Sequence, residues 1–491
     1  MSVYFKIRKA PGCWLVLLFT LTTACKKFVQ DPVPSTEIAA ATVFSTNNSA
    51  AAAMTGIYAN MINGQGLSDG VYSISLLDGL AADELINYGP YSVYQQFYAN
   101  ALSSETQGSS NGYFWQEIYA DIYQANAVIA GVNGSTGITA AMKQQLIGEA
   151  EFTRAFFYFY AVNLYGDVPL ALSTSYQVNT SLHRSPKAVV LQQVIADLTD
   201  AQSKLSSNFV NYQGLTTTER TRPNKGAATA LLARAYLYEA TLNNNPNYFS
   251  KTDSAASAVI GNNQYGLVTN LNNVFLANSS EAIWQLQPVE PGVNTQDAQQ
   301  FVLTSTPGTG QFQVALSTFL LKAFEPNDQR YVNWVGSFTD PSSSITYYYP
   351  YKYKVWQYNQ PVTEYQMVLR LAEQYLIRAE AEANGAGGGL GAAIADLNII
   401  RSRAGLPNYA GAMDKASVLA AILHESQVEF FTEWGHRWFD LNRTGNLNSV
   451  MGSPGNVCQA KGGTWNPNWA LVPLPSSELL VNRNLTQNPG Y

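Results

Sequence analysis

The stretch EAEFTRAFFYFYAVNLYGDVPL, residues 149–170, decides the fold of this chain. From Ala155 onward it is apolar almost all round, the mark of a helix buried on every side rather than along one stripe. Gly166 stands where a C′ glycine belongs, and Pro169 prevents continuation. The reading is a buried helix over residues 140–165.

Helical patterns flank it on both sides. Asn111–Ala130 spaces Tyr and Ile three and four apart. Downstream, Ser185-Pro186 predicts a helix start, with Ser as N-cap and Pro in the first turn. Leu191, Val194, Ile195, Leu198 and Leu205 then form one stripe. Asn224–Thr241 is alanine-rich, and its small side chains permit close helix packing. Residues 366–384 and 390–404 read as another helical pair around the glycine linker NGAGGGLG, with Arg378 and Glu382 placed as an i,i+4 ion pair. Ala416–Glu433 is the last long helix. Helix pairs joined by short turns predict TPR-type packing, although no fixed period of about 34 residues is present.

Two stretches break this pattern, residues 63–110 and 242–365. They are polar and turn-rich, with strand-like pieces such as AIWQLQ and YKYKVWQY. Long non-helical excursions from a rigid scaffold are where binding usually resides.

The chain has 491 residues, a net charge of −6 and only 13% charged residues. The basic footprint of a nucleic-acid-binding protein is absent. Aromatic residues reach 12%, with 30 tyrosines. A low-charge surface rich in Tyr and Asn suits a neutral polar ligand.

Residues 1–24 read as a targeting segment: Lys6, Arg8 and Lys9 precede a short apolar run from Gly12 to Leu21. Cys25 follows small residues, so cleavage before it resembles the processing of a bacterial lipoprotein, with Cys25 as the lipid attachment site. Residues 25–45, with two prolines, form an extended, lipid-anchored arm, and residues 46–491 the folded domain. With Cys13 in the leader and Cys25 lipidated, only Cys458 remains, which excludes an intrachain disulfide in the processed chain.

Five blocks carry a family resemblance: EAEFTRAFFYFYAVNLYGDVPL, LRLAEQYLIRAEAEANG, ADLNIIRSRAGLP, VEFFTEWGHRWFDLNRTG and the terminal LVPLPSSELLVNRNLTQNPGY. Their order and spacing, together with DQRY at 328–331, resemble the SusD/RagB family of outer-membrane nutrient-binding lipoproteins. The resemblance implies a mostly α-helical, SusD-like fold: TPR-like helix pairs as scaffold (about 111–165, 186–241 and 366–434), with irregular loops and small strands. It implies a protein anchored by lipid to the outer membrane and facing the cell exterior. Such a protein captures an oligosaccharide and passes it to a SusC-like TonB-dependent transporter, with no catalytic step. A helical-repeat adaptor binding a protein or peptide is the competing reading, and a hydrolase a weaker one.

The three histidines, His183, His424 and His436, are far apart, and neither HExxH nor CxxC occurs. No cofactor, resident metal or catalytic residue is therefore expected, scattered carboxylates for calcium aside. Asp83 and Glu84 are adjacent, and on a strand they would point to opposite faces, which argues against joint acid–base work. EWGHRWFDLNRTG, residues 433–445, reads as a clasp at a helix end, with Arg437 near Glu429 or Glu433 and Asp440 near Arg443.

Sugar recognition needs flat aromatic faces and planar polar side chains. Residues 83–100 offer both, in Asp83, Asn87, Tyr88, Tyr91, Tyr94, Gln95 and Asn100. A second concentration lies at Tyr331–Tyr358, where ten of 28 residues are aromatic, against three or four at the chain average. There Trp334 and the 336–348 loop are the ligand candidates. Tyr351, Tyr353 and Val355 are expected on one face of a core strand, with Lys352, Lys354 and Trp356 on the other. The loop from Gln287 to Phe312 is a third candidate region.

Overall fold

The computed structural model describes residues 40–63, 67–68, 70–104, 114–310 and 312–491. The leader, Cys25 and most of the arm lie outside them.

Eight helices form the scaffold: α1 (Phe114–Gly134), α2 (Ala140–Tyr165), α3 (Lys187–Lys204), α4 (Lys225–Asn243), α5 (Pro246–Ile260), α6 (Leu371–Ala383), α7 (Gly389–Arg403) and α8 (Lys415–Phe430). Each packs on the one before and the one after, giving four TPR-like hairpins in succession. Helix α2 is buried at every position from Gln145 to Tyr165. Its polar residues therefore need internal partners. Glu149 meets Arg222 at 2.7 Å, Arg154 meets Asp197 at 2.7 Å and Glu151 meets Lys204 at 2.9 Å. These pairs tie α2 to its neighbours where apolar packing alone would leave the register free. Gly166 ends the helix with φ +74°, as its position predicts.

Helix α3 starts one residue later than the sequence suggests. Ser185 belongs to a short strand, and the cap comes instead from Asp167, whose Oδ1 accepts the Lys187 N–H at 2.8 Å. Helix α5 falls inside the stretch expected to be irregular. Asn245 caps it and Pro246 opens it, while Phe249, Thr252, Ala256 and Val259 face the core. Arg378 pairs with Asp396 of α7 at 2.6 Å, not with Glu382 of its own helix.

Among the described residues, eight short strands decorate the scaffold as four antiparallel pairs. They are β1 (Leu85–Asn87), β2 (Val168–Pro169), β3 (Arg184–Ser185), β4 (Ala282–Leu286), β5 (Val314–Leu316), β6 (Val335–Thr339), β7 (Thr346–Pro350) and β8 (Gln366–Arg370), paired β1–β5, β2–β3, β4–β8 and β6–β7. Strand β4, the predicted AIWQL, carries Trp284 into the main core, with ring centroids 5.0 Å from Phe152 and 5.6 Å from Phe156. The strand leading into α6 is β8, not YKYKVWQY. Beyond Pro350 the expected alternation fails, because Lys352 is buried: its Nζ donates to Glu433 at 2.5 Å and to the Glu429 and Phe431 carbonyls at 2.8 Å. Among the described residues no helix is long and apolar enough to cross a membrane.

Candidate functional site

The segment from Asp83 to Asn100 is built outward from an ion pair. Asp83 accepts from Arg437 Nε at 2.8 Å and Nη2 at 2.7 Å, and from Gln427 at 3.2 Å. Burial is the largest influence and pushes its carboxyl up, but the charge and hydrogen bonds of Arg437 together with the Lys461 charge hold it below the usual range. Next to it Glu84 is pushed up to about 8, by burial first and by the Asp83 charge second. The chain then enters β1, with Leu85 opposite Leu316 and Asn87 opposite Val314.

A tight turn follows. Asn87 Oδ1 accepts the Gly89 N–H at 3.0 Å, and its Nδ2 donates to the Gly89 carbonyl at 3.2 Å and to Gln95 at 3.1 Å. A β-carbon on Gly89 would lie 1.7 Å from the Gln313 side-chain oxygen and 3.0 Å from its Cβ, so a larger residue would have to displace Gln313. The turn lifts Tyr88 outward, 42% exposed. Its ring meets Tyr347 of β7 edge-on, centroids 5.4 Å apart. Burial, then the neighbouring Tyr347 and Tyr98 phenols, raise the Tyr88 pKa, which places three phenols together. Tyr91 is 52% exposed and caps the short helix Ser92–Tyr98 without a side-chain bond. The result is an aromatic shelf of Tyr88, Tyr98 and Tyr347 beside the Asn87 and Gln95 amides, with Tyr91 exposed three residues after Tyr88 and edge-on to Tyr94.

The shelf has its own foundation. Val302, Leu303, Phe312, Ala315 and Tyr349 form a small buried cluster, with Phe338 and Tyr347 packed against it. Gly308, at φ +89°, comes so close that a β-carbon there would lie 2.7 Å from the Tyr88 carbonyl oxygen. Three sequence regions meet here: 83–100, the 336–348 segment and the 287–312 loop. The 336–348 segment is a β-hairpin rather than a loop, and its alternation turns Tyr347 to this side while Tyr348 faces Tyr331 at 6.3 Å. Tyr347 lies inside a region the sequence had marked. Tyr98 belongs to the same Tyr-rich run as Tyr88, Tyr91 and Tyr94, which is its signal in the sequence.

Four expected contact residues prove to be internal. Trp334 is 0% exposed, its indole N–H donating to the Leu271 carbonyl at 2.9 Å. Tyr94 is 1% exposed and donates to the Val71 carbonyl at 2.7 Å. Asp83 is spent on Arg437. Asn100, buried at φ +51°, donates to the Ala81 carbonyl at 3.0 Å. Side chains buried in this way do not reach a ligand, so these four act inside the fold. Asn87, Tyr88 and Tyr91 remain at the surface.

The EWGHRWFDLNRTG segment is the clasp the sequence suggested, with different partners. Arg437 reaches across to Asp83. Glu429 and Glu433 are taken by Arg370 at 2.6 and 2.9 Å. Asp440 does pair with Arg443, at 2.8 Å. His436 stacks on Phe430 with centroids 4.8 Å apart. Desolvation and then the nearby Arg234 hold this imidazole well below its usual pKa, so it stays neutral.

Glu325, His424 and Glu425 converge as a metal site would. The donor set does not suit a cation, because arginines already neutralise it. Arg401 binds Glu325 at 2.6 Å, and Arg330 binds Glu425 at 2.6 Å.

Comparison with known proteins bears on both halves of the chain. Residues 280–491 match the model of the SusD family, and residues 77–237 match one described as "Starch-binding associating with outer membrane". SusD-like protein P2 of Formosa agariphila is 27% identical, over 99% of this chain and 100% of that protein. A SusD superfamily protein from Bacteroides vulgatus has a TM-score of 0.76 at 23% identity, covering 91% of this chain and 99% of that one. A structure described as a laminarin binding SusD-like protein has a TM-score of 0.71 at 21% identity, covering 91% and 100%. At these identities the two structures establish a shared fold.

Proposed function

The chain belongs to the SusD family, and from that premise we propose that it binds an oligosaccharide on the shelf of Tyr88, Tyr98 and Tyr347 and leaves it chemically unaltered. The observation that carries this reading is the open face of Tyr88, set edge-on against Tyr347 and held by the turn that Asn87 closes onto Gly89. Phenol rings present flat apolar faces to the C–H faces of a sugar. Gln95 supplies a planar amide for its hydroxyls, oriented by Asn87, whose own N–H groups are taken by the Gly89 carbonyl and by Gln95. The laminarin-binding description of a structural relative supports the same ligand class.

Capture without conversion fits the groups available. The carboxylates at the root of this segment, Asp83 and Glu84, are buried, one paired with Arg437 and the other accepting the Thr432 N–H at 3.3 Å, and Asp340 of the neighbouring hairpin is held by Ser342 and Ser343. Neither Asp83 nor Glu84 faces a sugar from the open side. In this reading Cys25 carries the lipid, residues 25–45 tether the 46–491 domain to the outer membrane on its exterior face, and a SusC-like TonB-dependent transporter receives the ligand.

Calorimetry of the processed chain against a panel of neutral glycans tests the central claim. The expected result is saturable binding that weakens in Tyr88→Ala and in Tyr347→Ala, with no reducing-sugar release. Silence across the panel, or unchanged affinity in both variants, sinks it. Co-purification with the transporter and metabolic labelling of Cys25 with fatty acid test the partner and the anchor.

A further inference from the structure

A second cavity, of about 490 Å³, opens among the C-terminal ends of α4 and α6, the exposed side of α8 and residues 437–450. Its volume lies within the range of about 300–1,000 Å³ typical of small-molecule sites. Phe249, Leu423, Leu441 and Val450 supply apolar wall, and four amide side chains, Asn244, Asn384, Gln427 and Asn446, supply polar wall.

The ionic groups at this cavity are already spent. Both carboxylate oxygens of Glu380 are held by Arg443. Arg437 holds Asp83 through Nε and Nη2. The amides are only half used. Asn384 Nδ2 donates to the Glu380 carbonyl at 2.8 Å, Asn446 Nδ2 to Thr444 Oγ1 at 2.9 Å and Gln427 Nε2 to Asp83 at 3.2 Å. Their oxygens have no protein partner among the described residues, and neither has Arg437 Nη1. Arg437 and Gln427 are otherwise buried side chains, 9% and 8% exposed, and both line the cavity wall.

Unused acceptors, one unused donor, apolar wall and no unpaired charge together describe a complement to a small neutral polyol. We infer that this cavity is a second binding site, for a neutral sugar of one or two rings. It lies apart from the shelf and shares with it only the Asp83–Arg437 pair, so it does not depend on the shelf reading.

Glucose, galactose, maltose and cellobiose are the probes, with glutamate and lysine as charged comparators, titrated calorimetrically into a Tyr88→Ala/Tyr347→Ala chain. That background removes the shelf, so failure at one site is distinguishable from failure at the other. The expected result is one saturable site for at least one of the four sugars. Ala420→Trp, which puts an indole into the cavity from an exposed position on α8, weakens that site more than 10-fold, and Ala420→Ser does not. Ala416→Trp, also exposed, repeats the block independently, and unfolding midpoints verify that each variant is folded. The inference is overturned if none of the four sugars saturates, if both tryptophan variants bind as tightly as the parent, or if glutamate or lysine binds in preference.

Discussion

Arg437 and Asp83, far apart in the chain, form a bidentate ion pair at 2.7 and 2.8 Å that ties the clasp of residues 433–445 to the root of the aromatic shelf. Removing one member of a buried pair leaves the other charge uncompensated, at a cost of about 3–5 kcal/mol. Arg437→Met is therefore expected to lower stability by about that amount, as read by urea unfolding. Adding Asp83→Leu should recover most of the loss, since an apolar pair of similar volume is often neutral. Additive losses in that double variant would deny the coupling.

Trp334 and Tyr88 are expected to separate stability from binding. Trp334→Ala empties a fully buried site and is expected to cost about 3–5 kcal/mol. A milder test, Trp334→Phe, keeps most of the packing and removes the indole N–H that reaches Leu271; it should lower the unfolding midpoint and leave glycan affinity unchanged. Tyr88→Ala should do the reverse. Its stability stays within about 0.5 kcal/mol, and affinity falls by the loss of one stacked ring, about 0.5–1.5 kcal/mol.

Much of this arrangement could be read from local pattern, and the failures have a common cause. Helix α2 was legible because an apolar run with no polar face has no other place to go. Helix α5 was hidden because its inward positions, Phe249, Thr252, Ala256 and Val259, mix polar and small residues into a weak stripe. YKYKVWQY failed as a strand because the position of Lys352 depends on Glu433, a partner distant in sequence. The same holds at the site. Aromatic density marked the right neighbourhoods, but exposure separates Tyr88 from Tyr94 and Trp334. Exposure is set by which backbone carbonyl lies within reach of each polar tip.

Gly308 and Gly310 offer a matched pair of substitutions. Both have positive φ, +89° and +61°, so alanine strains either one. At Gly308 the new methyl also runs into the Tyr88 carbonyl, whereas at Gly310 it enters open space. Gly310→Ala is expected to cost about 1–2 kcal/mol of backbone strain and spare binding. Gly308→Ala should also displace Tyr88 and weaken glycan binding. Equal affinities in the two variants would detach the 302–313 loop from the shelf.

Glu84 makes the stability of the shelf's foundation depend on pH. Its folded pKa, about 8, lies above its ordinary value of 4.5 because burial and then the Asp83 charge disfavour ionisation. The unfolded chain releases this proton near 4.5 and the folded chain holds it until about 8. Between those values the folded state binds more protons, so stability falls as pH rises. The contribution is complete below 4.5 and gone above about 8. Asp121, Glu151, Asp297 and Glu382, each raised to about 7 chiefly by burial, act in the same direction over a narrower window. Urea midpoints are therefore expected to be higher at pH 5 than at pH 8. Glu84→Gln cannot ionise and keeps an acceptor for the Thr432 N–H. It should shrink the difference between the two pH values, mostly by raising the midpoint at pH 8. A variant as pH-sensitive as the parent would mean that Glu84 is already ionised in the fold.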